Sequence, residues 1–69
     1  MSNCKGKKTW PELVGINGEA ASQIIMRENT RVTASTLPQE SVVTTDFRCD
    51  RVRVFVDNQD IVTRVPNIG

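Results

Sequence analysis

One six-residue stretch limits what this chain is able to fold into. Arg51-Val52-Arg53-Val54-Phe55-Val56 alternates strictly between valines and a second set of Arg, Arg and Phe. A period of two puts successive side chains on opposite faces of a β-strand. Val52, Val54 and Val56 then form one apolar face that needs a cover. Arg51 and Arg53 share the other face with Phe55, pointing the same way about 7 Å apart. The best available cover lies upstream. Ala20, Ala21, Ile24 and Ile25 recur at helical spacing behind Asn17-Gly18-Glu19. Asn17 is a good N-cap, and Glu19 sets negative charge at the positive end of the helix dipole. Asn29 is expected to end this helix in the left-handed conformation.

Arg31 to Leu37 alternates and is rich in β-branched residues, so it reads as a second strand that Pro38 ends. Ile61 to Val65 reads as a shorter strand, antiparallel to residues 51–56 across the turn Asp57-Asn58-Gln59-Asp60. Near the start, Pro11 is placed to open a short helical turn, with Trp10 and Leu13 covering one edge of the core. The expected fold class is α+β: one helix packed on a small mixed sheet. Its parallel pair is bridged by a long exposed loop, and a short antiparallel strand adds to it. Joining two strands in parallel takes a crossover of about a dozen residues. Residues 38–49 supply that length with no helical pattern. A structureless segment of that size in a small domain is unusual and often functional, which makes it the candidate site.

Composition excludes several kinds of function. With 69 residues the chain is one small domain, residues 1–69, whose core is marginal. Nine Lys+Arg against eight Asp+Glu leave a net charge of +1, so neither nucleic acid nor an anionic membrane is an expected partner. No apolar run approaches the ~18 residues of a membrane span. There is no His, which removes Ser-His-Asp and Cys-His arrangements. Two Cys without His do not make a four-ligand zinc site in one chain, so no metal and no cofactor is expected. Nothing in the sequence activates Cys4 or Cys49 as a nucleophile, and the chain reads as a binding protein rather than an enzyme.

The two cysteines are compatible with one disulfide, and two free thiols are the alternative. A bridge of that span would stabilise the fold by roughly 4 kcal/mol in the chain-entropy model. Met1 to Lys8 contains no apolar run of the secretory-signal kind. Its cluster Lys5, Lys7, Lys8 reads as a solvated segment. Taken alone, Arg51 and Arg53 read as solvated surface arginines. Thr44-Thr45-Asp46 reads as a polar turn.

Four motifs change that reading. Trp10-Pro11-Glu12-Leu13-Val14-Gly15, Thr44-x-Asp46-x-Arg48, Arg51-Val52-Arg53-Val54-Phe55-Val56 and Val65-Pro66-x-Ile68-Gly69 stand in the order and spacing of the potato inhibitor I family. The chain resembles that family over nearly its whole length, and its disulfide-containing plant members most. The resemblance implies a monomeric serine protease inhibitor. Its exposed loop would enter a protease active site like a substrate, with Thr45–Asp46 as the bond offered. It implies protease contacts from Val42, Val43, Thr44, Phe47 and Arg48. It also implies loop support from Arg51, Arg53 and Gly69, and a Cys4–Cys49 disulfide. Such a bridge favours an extracellular or vacuolar setting, and the family suggests plant defence. Thr45 is neither basic nor large and apolar, which points to subtilisin-like or elastase-like proteases before trypsin. The alternative is a diverged binding or storage protein on the same fold.

Overall fold

The computed structural model describes residues 4–69. Of the segment Met1 to Lys8, the first three residues lie outside the described residues. A 3-10 turn, Pro11–Leu13, leads to helix α1, Gly18–Glu28, then strands β1, Thr33–Pro38, and β2, Arg51–Val56. The strands pair in parallel, in register from Thr33 opposite Arg51 to Pro38 opposite Val56. The alternation holds in three dimensions. Val52, Val54 and Val56 are buried, while Arg51, Arg53 and Phe55 are half-buried on the opposite face. The fold is α+β, with one helix on a small sheet.

Helix α1 begins as its sequence dictates. The Asn17 side-chain oxygen accepts hydrogen bonds from the amides of Glu19 (2.9 Å) and Ala20 (3.1 Å). The buried face consists of Gly18, Ala21, Ser22 and Ile25, with Ile24 and Met26 partly covered. Ala20, expected in the stripe, is exposed. It sits about 200° around the helix from Gly18, whereas Ala21, Ser22 and Ile25 follow the 3.6-residue period. Gly18 is there because the helix start lies directly on the sheet. A Cβ at that position would stand 2.5 Å from the Val56 Cγ1 and 2.9 Å from the Thr36 Cγ2. The buried Ser22 hydroxyl is satisfied by donating to the Gly18 carbonyl at 2.9 Å.

The helix ends differently from expectation. Asn29 is extended, at φ −137° and ψ 100°, and is only 3% exposed. Its side chain stops the helix. The amide nitrogen donates to the carbonyls of Lys5 and Lys7, both at 2.9 Å, and the oxygen accepts from the Arg31 amide at 3.0 Å. A short polar side chain thus competes with the helix for backbone partners. It ties the N-terminal segment to the helix end, so tightly that a Cβ on Gly6 would sit 2.9 Å from the Asn29 nitrogen.

The expected third strand is reduced to single bridges, Val56 with Val62 and Asn17 with Ile61. Val62 faces Val56 between two bonds of 3.0 Å, from the Asp57 amide to Ile61 and from the Thr63 amide to Phe55, and the chain then bends at Arg64. The Val62 amide and carbonyl point to the other side, where the amide donates to Ile16 (2.8 Å) and the carbonyl accepts from Gly15 (2.9 Å). The turn at residues 57–60 forms as expected. The Asp57 carboxylate accepts from the amides of Gln59 and Ile61, and Asp60 takes φ 63°. Trp10 lies fully inside the core with Ile25, Val52, Val54 and Val62, rather than at its edge. Its indole nitrogen donates to Glu28 at 2.9 Å.

Gly18→Ala places a methyl group where Val56 and Thr36 already stand. Overpacking of this kind is expected to cost about 1–3 kcal/mol, read as a lower urea midpoint with an unchanged slope.

Candidate functional site

The parallel register obliges residues 39–50 to return the chain along the sheet. They do so without helix or strand. Gln39 and Ser41 make the first main-chain bonds, to Val56 (2.8 Å) and Pro38 (3.0 Å). Beyond them the loop stands in solvent. Val42 is 99% exposed, Phe47 is 55% exposed, and Thr44, Thr45, Asp46 and Arg48 are exposed as well. Val43 is half-buried.

The outer face of β2 lies beneath this loop, and side chains take the place of a core. Arg53 donates to the Thr44 carbonyl (3.3 Å) and to the Thr44 hydroxyl (2.8 Å). Arg51 donates to the Asp46 carbonyl (3.0 Å), and its guanidinium lies 3.4 Å from the Asp46 carboxylate. Thr45, between these two anchored residues, takes part in none of these bonds. Arg51 is itself braced, because its Nε donates to the main-chain oxygen of Gly69 at 2.7 Å. The Gly69 amide returns a bond to the Arg51 carbonyl at 2.9 Å. The Phe47 ring lies beside Gly69, within van der Waals reach of a Cβ built there.

The outgoing limb is held covalently. Cys49 is joined to Cys4 by a disulfide, with Cα atoms 5.1 Å apart. Cys4 is buried, and the segment after it is gripped by Asn29. Arg48 folds back on Asp50 with two parallel bonds of 3.0 and 2.9 Å. That pairing holds the Asp50 carboxyl below the usual range and raises Arg48.

Two supporting contacts, one to the N-terminal segment and one to the loop, escape a reading of the sequence. Asn29 is one, since its role depends on where the N-terminal segment runs. Arg64 is the other: it donates to the Gln39 carbonyl at 2.7 Å. A strand continuing past Val62 opposite β2 would turn Arg64 to the core side. The last bridge is at Val62 and the last main-chain bond to β2 at Thr63, and the bend at Arg64 then lets its side chain reach the outer face. Among the described residues no three His, Cys, Asp or Glu side chains form a group able to hold a metal ion.

Asp46 is the titrating member of the network. Hydrogen bonding with Thr44, and to a lesser degree the charge of Arg51, hold its carboxyl below the usual aspartate range, against the opposing effect of desolvation. A depressed carboxylate supports the folded loop above its unfolded value, and that support is lost as pH falls through the folded value. The contribution is thus complete at neutral pH and fades only below about pH 4. A carboxyl-carbon NMR titration should give Asp46 a lower midpoint in the folded protein than in a short unstructured peptide of the loop sequence, with Thr44 amide shifts tracking it. In Asp46→Asn the Thr44 response should vanish.

Known proteins resemble this chain in sequence and overall fold. The model of the potato inhibitor I family matches residues 2–69. The chain is 56% identical over 68 residues to a Glu S. griseus protease inhibitor of Momordica charantia, covering 99% of this chain and 100% of that protein. It is 47% identical over 68 residues to an inhibitor of trypsin and Hageman factor of Cucurbita maxima, with coverage of 99% and 100%. The crystal structure of bitter gourd trypsin inhibitor superposes with a TM-score of 0.95 at 54% identity, covering 99% of this chain and 100% of that one.

Proposed function

The chain belongs to the potato inhibitor I family and is by that membership a protease inhibitor, not an enzyme; from this premise we propose that it blocks serine proteases by offering Thr45–Asp46 as a substrate-like bond. One observation carries the reading. Thr45 is exposed and bonds to none of the described residues, while the residue on each side of it is held by its own arginine. A loop fixed in this way loses little conformational freedom on docking, so more of its contact energy appears as affinity.

The same anchors govern the fate of the bond once it is attacked. A protease nucleophile adds to the Thr45 carbonyl, and the Asp46 nitrogen becomes the leaving amine. Asp46 stays tethered to Arg51, and the chain beyond it is tied at Cys49 to Cys4. The amine therefore remains beside the acyl group, and religation competes with hydrolysis. Val42, Val43 and Thr44 would lie along the subsites before the bond, and Phe47 and Arg48 along those after it.

Residue 45 argues for the target class. A trypsin-type pocket would have its buried carboxylate left without a cation by Thr45, and a chymotrypsin-type pocket would be underfilled. A small β-branched side chain suits elastase-like pockets and the tolerant pocket of subtilisins. The fully exposed Val42 suits the apolar subsite that subtilisins use at the fourth position before the bond.

Titration against subtilisin, elastase, chymotrypsin and trypsin, with mass spectrometry of the inhibitor afterwards, tests both parts. Stoichiometric inhibition of subtilisin or elastase is expected, with slow cleavage confined to Thr45–Asp46. Rapid cleavage there without lasting inhibition overturns the mechanism, and tighter binding to trypsin than to either favoured target overturns the target class. Thr45→Lys should tighten trypsin inhibition by about a hundredfold or more, since it supplies the missing cation.

A further inference from the structure

We propose that Arg64 is a third strut of the loop, held in place by Phe55 and positioning the incoming limb, residues 39–43; this rests on the inhibitory reading of the loop. The outer face of β2 presents three side chains in succession: Arg51, Arg53 and Phe55. The first two reach Asp46 and Thr44. As the strand runs forward, its anchors therefore move backward along the loop. The third position has no polar group with which to continue the series. Arg64 supplies one. Its guanidinium carbon lies 4.0 Å from the centre of the Phe55 ring, and its Nη2 donates to the Gln39 carbonyl at 2.7 Å. Planar stacking on an aromatic face fixes the guanidinium while leaving its edge free to donate.

The placement of Arg64 is itself determined. The Thr63 amide and hydroxyl both donate to the Phe55 carbonyl, at 3.0 and 3.4 Å. The chain then bends at Arg64. Among the described residues Arg64 pairs with no carboxylate, so its charge is directed at the Gln39 carbonyl. That carbonyl belongs to the residue whose amide donates to Val56, so Gln39 is gripped on both sides. Val42 and Val43 lie only a few residues further along. Their place relative to Thr45 then depends on where Gln39 is held, and Arg64 would act on the subsites before the bond rather than on the bond itself.

The test compares Arg64→Ala, Arg64→Lys and Phe55→Leu with the parent in a double-mutant cycle. Three quantities are read: 15N order parameters of residues 40–43 in the free protein, the inhibition constant for the protease that the parent binds best, and the urea midpoint. Arg64→Ala is expected to lower the order of residues 40–43 and to weaken inhibition about tenfold, with little change at Asp46 or in the midpoint. Phe55→Leu should do the same, and the two together should cost little more than either. Arg64→Lys keeps the charge without the planar stack, and should recover only part of the loss. Unchanged order at residues 40–43 in Arg64→Ala overturns the proposal, as does simple additivity of the two substitutions. Loss of order in step with a falling urea midpoint also overturns it, since Arg64 would then act on the whole fold. The order parameters need no protease. If the parent inhibits nothing, the inhibitory reading fails while the strut is still decided.

Discussion

Two parallel strands joined without a helix leave a crossover that no hydrophobic core is able to hold. Everything distinctive in this structure answers that constraint. A larger α/β domain would fill the crossover with a helix packed on the sheet. Here α1 already covers the inner face, and residues 39–50 return over the outer one. The outer face must then support a polar, extended segment. Arginine suits the task because its guanidinium offers several donors in a fixed plane at the end of a long stem. Arg51 and Arg53 meet carbonyls, a hydroxyl and a carboxylate on either side of Thr45.

These bonds lie at the surface, where a single ion pair contributes little. Their effect comes from being joined to one another. Arg51 bridges Asp46 to Gly69, and the Gly69 amide bonds back to Arg51. Arg53 holds Thr44, whose hydroxyl also supports the Asp46 carboxylate. The disulfide joins the outgoing limb to Cys4, and Asn29 fixes the segment after Cys4 to the helix end. Helix, N-terminal segment, loop and the chain around Ile68 and Gly69 thus share one set of constraints, although the loop touches the core at few points.

Local chemistry makes much of the fold legible. The alternation at residues 51–56 gives β2 and its buried face, and Asn17 gives the helix start. The absence of a helical pattern in residues 38–49 marks the loop. The parts that stay hidden depend on distant partners. Asn29 has the composition of a left-handed cap, yet its side chain finds the Lys5 and Lys7 carbonyls and the helix ends by another route. Arg64 escapes because alternation carried past Val62 turns it the wrong way, whereas the chain makes its last bond to β2 at Thr63 and bends at Arg64. The alternation shows that Arg51 and Arg53 point outward, but not that a loop waits above them. The family resemblance carries that part of the reading, together with the choice of Thr45–Asp46.

The claim that side-chain struts, rather than loop sequence alone, separate an inhibitor from a substrate is open to one direct measurement. Parent and Arg53→Ala are incubated with a protease that the parent binds stoichiometrically, and cleavage at Thr45–Asp46 is tracked by mass spectrometry. The residue at the bond is the same in both, and the urea midpoint shows whether the fold is intact. Losing the bonds to Thr44 is expected to speed hydrolysis at that bond by about tenfold or more while the fold stays intact. Equal rates of hydrolysis in the two proteins would contradict the claim.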